Sequence, residues 1–239
     1  MYQQGMNSNN LLGLNQMELV RLAESLGEDS FRGRQLYVQL YRRKQHDLEH
    51  MTDLSKSFRL RLLQDYSVSL PAVHQVVTSQ DATVKLLLRL DDGAFVEAVH
   101  IPEENRDTLC ISSQVGCAVG CTFCMTARMG FARNLRAGEI VGQVLRSIEM
   151  GLVGENGFNI VFMGMGEPLY NYKNVMKAFR LLTDSDGMNL SHRRITVSTS
   201  GVIPVLKQMA EEPKLPNLAI SLNATTAEVR NRIMPINRR

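Results

Sequence analysis

From Leu109 onward the sequence alternates short apolar, β-branched runs with longer runs of helical spacing. Four of the short runs are strand-like: Leu109 to Ser112, Asn159 to Met163, Arg194 to Ser198 and Leu218 to Leu222. Helical spacing fills about Ala137 to Met150, Asn174 to Thr183 and Val202 to Ala210 between them. Strands separated by helices pair in parallel through right-handed crossovers, so the expected class is α/β. In such sheets the functional residues collect at the C-terminal ends of the strands. Here the four ends run into a loop with Cys117, Cys121 and Cys124, into Gly164-Met165-Gly166-Glu167-Pro168, into Ser198-Thr199-Ser200-Gly201 and into Ser221-Leu222-Asn223. Each end is small, polar or able to bind metal.

The first end is the most specific. The chain has only four cysteines, and three of them form a CxxxCxxC loop. Three thiolates on one short segment suffice for three irons of a cubane cluster and leave the fourth iron open. A zinc site would need a fourth ligand, and the five histidines all lie at least 17 positions from the loop. A disulfide framework fits poorly with a chain that shows no hydrophobic leader, and the composition reads as that of a reduced, cytoplasmic protein. No apolar run approaches a membrane span, so no membrane partner is expected. Val119, Phe123 and Met125 beside the cysteines are expected to keep water from a cluster.

Upstream the period changes. Residues 1–10, rich in Asn and Gln, are expected to be disordered. Residues 11–68 read as a small helical module: Asn15 with Glu18 starts one helix and Gly27 stops it, a second is expected from Gly33 to Arg43, and a third from Ser55 to Gln64. Residues 69–103 read as a short antiparallel sheet of Val73 to Val77, Thr83 to Leu90 and Ala94 to Ile101. In the last of these, Glu97 shares a face with Phe95, Val99 and Ile101, either as a cross-strand partner of Lys85 or Arg89, or as a buried carboxylate suited to proton transfer. Net charge is only +3, but the basic residues are grouped: Arg32, Arg34, Arg42, Arg43 and Lys44; Arg128, Arg133, Arg136 and Arg146; His192, Arg193 and Arg194; and Arg230, Arg232, Arg238 and Arg239. Any one group can be a solvated helix face, while four beside a candidate active site favour a phosphate-bearing substrate.

The spacing with Phe123 before the third cysteine, followed one crossover later by Gly164 to Pro168, resembles the radical S-adenosylmethionine (SAM) superfamily. Within it, the stretches Cys110 to Cys117, Gly130 to Leu135, Met163 to Leu169, Arg194 to Gly201 and Met234 to Asn237 resemble the RlmN family of rRNA and tRNA adenine methyltransferases. The resemblance implies a partial (β/α) barrel over residues 104–239 with about four of six βα units, preceded by the helical accessory domain, which would bind RNA, and the antiparallel sheet. It implies a [4Fe-4S] cluster on Cys117, Cys121 and Cys124, and SAM held by Gly166, Glu167, Ser198, Ser221, Leu222 and Asn223. Asn223 stands where some members have histidine. It further implies Glu97 as proton acceptor, Cys110 as the cysteine that helps release methylated RNA, 23S rRNA and tRNA as substrates, a flavodoxin or ferredoxin as electron donor, and a monomer acting on carbon 2 of adenine. Cys110 is otherwise most simply a buried strand cysteine.

One departure stands out. The family's methyl-carrying cysteine lies near the C-terminus, and no cysteine follows Cys124. The sequence is therefore expected to be truncated, and the chain alone to bind SAM or a cluster without methylating adenine. The rival readings are a Cfr-like enzyme acting on carbon 8, a radical SAM enzyme that does not methylate, and a non-catalytic RNA-binding iron-sulfur protein.

Overall fold

The computed structural model describes residues 9–104, 106–154 and 157–238. Helices α1 (Gln16–Ser25), α2 (Ser30–Tyr37) and α3 (Lys56–Asp65) make the N-terminal module. The α1 start is the one the sequence specifies, since Asn15 Oδ1 accepts the Glu18 N–H and Glu18 accepts the Asn15 N–H. Gly27 ends the helix at φ +75. The α2 helix begins earlier than expected, at Ser30, because Gly33 does not start it. Gly33 sits where α2 crosses α1, and a Cβ there would lie 2.6 Å from the Leu19 carbonyl oxygen. One wide π-type turn, Val38–Arg42, extends α2 and buries Tyr41, whose hydroxyl donates to the Leu14 carbonyl (2.9 Å) and accepts from the Gly13 N–H (2.8 Å).

The disorder expected for residues 1–10 falls, for residues 1–8, outside the described residues. Asn10 departs from that expectation. Its side chain donates to the Ser69 carbonyl (2.9 Å) and accepts from the Ser69 and Leu12 N–H groups (3.2 and 3.0 Å), tying the start of the module to the segment after α3.

The remaining chain forms one seven-stranded mixed sheet in the order β1 (Ala72–Thr78), β2 (Val84–Arg89), β3 (Phe95–Glu103), β4 (Arg106–Cys110), β7 (Phe158–Phe162), β8 (Ile195–Thr199) and β9 (Asn217–Ile220). The antiparallel strands are therefore continuous with the parallel ones: β4 pairs antiparallel with β3 and parallel with β7. A separate two-stranded hairpin of β5 (Gln114–Gly116) and β6 (Phe131–Asn134) brackets the cysteine loop and the short helix α4 (Met125–Arg128). Helices α5 (Ala137–Glu149), α6 (Tyr172–Thr183) and α7 (Ile203–Met209) lie in the crossovers, and α8 (Ala227–Ile233) follows β9.

Register divides the sheet cleanly into two faces. Leu86, Leu88, Val96, Ala98, Leu109, Ile160, Phe162, Ile195 and Val197 point to one side, into the same core as Ile140 and Val144 of α5 and Phe179 and Leu182 of α6. The pairs Val99 with Cys110, Cys110 with Val161, Val161 with Thr196, and Ser198 with Ala219 place Glu97, Cys110 and Ser198 together on the opposite face. That face carries the sequence's candidate chemistry.

Candidate functional site

The cysteine loop is anchored at both ends. Cys117 N–H donates to the Gly130 carbonyl (3.0 Å) across the β5–β6 hairpin, and Thr122 N–H donates to the Ile233 carbonyl (2.9 Å). Val119 is buried against Met234 and Ile236, fastening the middle of the loop to the segment after α8. Phe123 and Met125 depart from expectation: they are 59% and 69% exposed, so of the three residues expected to exclude water only Val119 is buried. All three cysteines, with Gly166, Glu167, Ser198, Ser221 and Asn223, line one cleft of about 320 Å³.

The thiols suit a cationic guest. Burial pushes the Cys117 and Cys121 thiols above their ordinary range, and the neighbouring cysteines and Glu167 push the same way. Bound iron reverses that electrostatic cost, because it favours the thiolate. Among the described residues no three His, Cys, Asp or Glu side chains converge on a single ion position. A cubane cluster takes one thiolate per iron, and the three thiols that line this cleft would supply three of the four. The residues fit a [4Fe-4S] cluster held by Cys117, Cys121 and Cys124.

The Glu167 carboxylate is engaged by groups of the protein itself. The side chain is buried. One oxygen accepts the Leu169 N–H (3.0 Å) and the other accepts both the N–H and the hydroxyl of Ser200 (2.8 and 2.7 Å). The carboxylate thus locks the loop after β7 to the loop after β8, and the Gly166–Glu167 backbone lines the cleft. Ser198 and Ser221 hydroxyls meet at 2.9 Å across β8 and the end of β9. Asn223 adopts a left-handed backbone (φ +56) that asparagine tolerates better than most residues. The Leu222 side chain turns away from this cleft and lines a separate groove with Ile203, Ile220 and Arg230.

Glu97 and Cys110 lie on the same sheet face but outside the cleft lining. Glu97 is not buried in an apolar row: its side chain is 42% exposed and pairs with Lys85 Nζ at 3.0 Å, the cross-strand alternative. Burial raises the Cys110 thiol above its ordinary value, although a hydrogen bond from the Met163 backbone acts against it.

Several of the grouped basic residues are engaged by other groups of the protein. Arg43 pairs with Asp53 (2.7 Å), Arg42 with Asp186 (3.6 Å), and Arg146 Nε donates to the Pro71 carbonyl (2.9 Å). Arg133 donates from Nε to Asp92 (2.7 Å) and from both terminal nitrogens to Glu139 (2.9 Å each), so it is a clamp on the hairpin rather than a free cation. Arg34, Lys44, Arg128 and Arg193 are exposed and have no carboxylate partner among the described residues. The side chains of Arg238 and Arg239 lie outside the described residues.

The Arg133 clamp makes stability depend on pH. Burial opposes ionisation of Glu139, but Arg133 and Arg136 outweigh it and hold the carboxyl below its usual range; the hydrogen bond from Arg133 does the same for Asp92. A carboxyl depressed in the folded state binds its proton more tightly when unfolded, so its stabilisation is present at neutral pH and lost on acidification, beginning near pH 4.5 to 4. Glu139→Gln is expected to lower the urea midpoint at pH 7 and to flatten its fall between about pH 5 and pH 3. Parallel midpoint-versus-pH curves for the two proteins would contradict this.

A sequence model of the radical SAM superfamily matches residues 111–239, and one of the ribosomal RNA large subunit methyltransferase N-terminal domain matches residues 9–68. A dual-specificity RNA methyltransferase RlmN of Anaeromyxobacter dehalogenans is 50% identical over 236 residues, covering 96% of this chain and 63% of that protein. The RlmN of Syntrophus aciditrophicus is 44% identical over 235 residues, covering 98% of this chain and 67% of that protein.

The chain belongs to the RlmN family.

A crystal structure of a radical SAM methyltransferase from Sphaerobacter thermophilus agrees, with a TM-score of 0.88 and 40% identity over 96% of this chain and 68% of that one. The chain spans about 63% of the length of the first RlmN relatives it matches. Gln114 and Asn134 are not among the expected site residues, although both lie inside the motifs that carry the RlmN resemblance. Motif membership was the only signal, since each acts through a partner distant in sequence.

Proposed function

We propose that the chain carries the cluster and SAM site of an enzyme that methylates carbon 2 of adenine in 23S rRNA and in tRNA and, with no cysteine after Cys124 to carry the methyl group, does not complete that reaction by itself. The observation that carries this reading is the convergence of the cysteine triad, the Gly166–Glu167 loop and the Ser198–Ser221 pair on one cleft, at the side of the sheet that also bears Glu97 and Cys110. Cys117, Cys121 and Cys124 would hold a [4Fe-4S] cluster, and Gly166, Glu167, Ser198, Ser221, Leu222 and Asn223 would hold SAM. The two together supply a carbon radical, the reagent needed for a ring carbon that polar chemistry leaves untouched. Glu97 acts as proton acceptor. Cys110, whose burial keeps it a neutral thiol, helps release the methylated RNA.

The helical module of residues 11–68 binds the RNA together with the exposed Arg34, Lys44, Arg128 and Arg193. The target adenine is turned out of its stack to reach the sheet face. A flavodoxin or ferredoxin supplies electrons, and the protein acts as a monomer in the cytoplasm; no helix among the described residues is long and apolar enough to cross a membrane.

Mass-spectrometric mapping of RNA from cells deleted of their own RlmN tests the reading. Return of 2-methyladenosine on complementation with the chain extended by the cysteine-bearing C-terminal part of a relative, and its absence with this chain alone, is the expected result. Gain of a carbon-8 methyl group instead would establish the Cfr-like alternative, and unchanged RNA with the extended chain would remove the methyltransferase reading.

A further inference from the structure

Three side-chain hydrogen bonds run in one direction between the cysteine hairpin and the loop after β7. The Glu167 N–H donates to Gln114 Oε1 (2.8 Å), Gln114 Nε2 donates to Asn134 Oδ1 (2.7 Å), and Asn134 Nδ2 donates to the Tyr170 carbonyl (3.1 Å). The polarity is forced. A backbone N–H can only donate, so Gln114 must turn its oxygen to Glu167 and its nitrogen to Asn134, which in turn keeps its own nitrogen for Tyr170. Flipping either amide would set donor against donor at one end and acceptor against acceptor at the other.

The backbone closes around this relay. Ser113 and Gln114 N–H groups both donate to the Met165 carbonyl (2.8 and 3.2 Å). Gln114 is 1% exposed, and Gly166, at φ +100, lies so close that an added Cβ would sit 2.5 Å from Gln114 Cβ. Gln114 and Asn134 are register partners on β5 and β6, the two strands that carry the cysteine loop. Glu167 is fixed from the other side by Ser200.

We infer that Gln114 is a positioning residue of the cleft: through Asn134 and the Glu167 N–H, it sets the separation between the cysteine loop and the Gly166–Glu167 backbone. A ligand that touches both then meets them at one fixed spacing. The inference rests on the proposed reading of the cleft as the cluster and SAM site. A merely structural glutamine would stabilise the fold without governing how the two walls act on a shared ligand.

Two substitutions in the full chain test it. Gln114→Glu still accepts the Glu167 N–H but presents an acceptor to Asn134 Oδ1; Asn134→Asp still accepts from Gln114 but presents an acceptor to the Tyr170 carbonyl. Without ligands, each variant is expected to speed hydrogen exchange at the Glu167 amide and across residues 131–135 together. After reconstitution with iron and sulfide, each is expected to weaken SAM binding by about tenfold or more, and a Gln114→Glu, Asn134→Ala double variant, which adds no second carboxylate, to be no worse than Gln114→Glu alone. Asn134 is exposed, so Asn134→Asp keeps the test available should Gln114→Glu fail to fold. Unchanged SAM affinity, or losses that add as for independent sites, would overturn the inference. Should the unsubstituted chain take up neither iron nor SAM, the cleft reading fails, and the ligand-free exchange measurement decides the coupling alone.

Discussion

Gly116→Ala is expected to destabilise the protein by about 3 kcal/mol and to disable iron uptake with it. Gly116 ends β5 at φ +75, a conformation that costs a residue with a side chain roughly 1–2 kcal/mol. A Cβ there would also overlap the Gly130 carbonyl oxygen, the group that accepts the Cys117 N–H. The hairpin can relieve the overlap only by opening at its narrow end, which moves Cys117 away from Cys121 and Cys124. The seven-stranded sheet does not depend on this hairpin, so the far-ultraviolet circular dichroism should persist while bound iron falls to a small fraction of the unsubstituted level. Equal urea midpoints and equal iron content in the two proteins would show that the hairpin does not set the geometry of the loop.

Cys121→Ser is expected to leave the fold intact and to reduce cluster occupancy more than tenfold. The substitution is nearly isosteric at a half-buried position, so packing changes little. Chemistry changes a great deal, because a serine hydroxyl does not ionise near neutral pH and a thiolate is the ligand that iron requires. Two cysteines then remain for a site that needs three. Cys110→Ser is the informative control: Cys110 lies on the sheet face outside the cleft, and its loss should leave iron content and the visible absorption of the cluster unchanged. Loss of iron in the Cys110 variant, or retention in the Cys121 variant, would reassign the ligands.

Much of the architecture is legible because it is written in local pattern. Asn15 and Glu18 close their capping box within four residues, and Phe158–Phe162 and Ile195–Thr199 lie within a residue of the expected strands. Such elements follow from side-chain period and backbone preference, which neighbouring residues settle among themselves. The short strands β5 and β6 escaped because three or four residues carry too little periodicity to register. Gly33 misled as a helix start because the reason for a glycine there is the backbone of α1, which no local pattern reveals.

The site divides along the same line. The sequence alone determined the spacing of the three cysteines and the order of the strand ends, which a parallel sheet delivers to one side whatever the details, but not the separation of Leu222 into a different groove. Only the tertiary structure decided what each group does once there. It turned the Glu167 carboxylate to Ser200, paired Glu97 with Lys85, and set Arg133 between Asp92 and Glu139. Each of these partnerships joins residues brought together by the fold, where burial leaves a polar group no alternative to the partner the packing supplies.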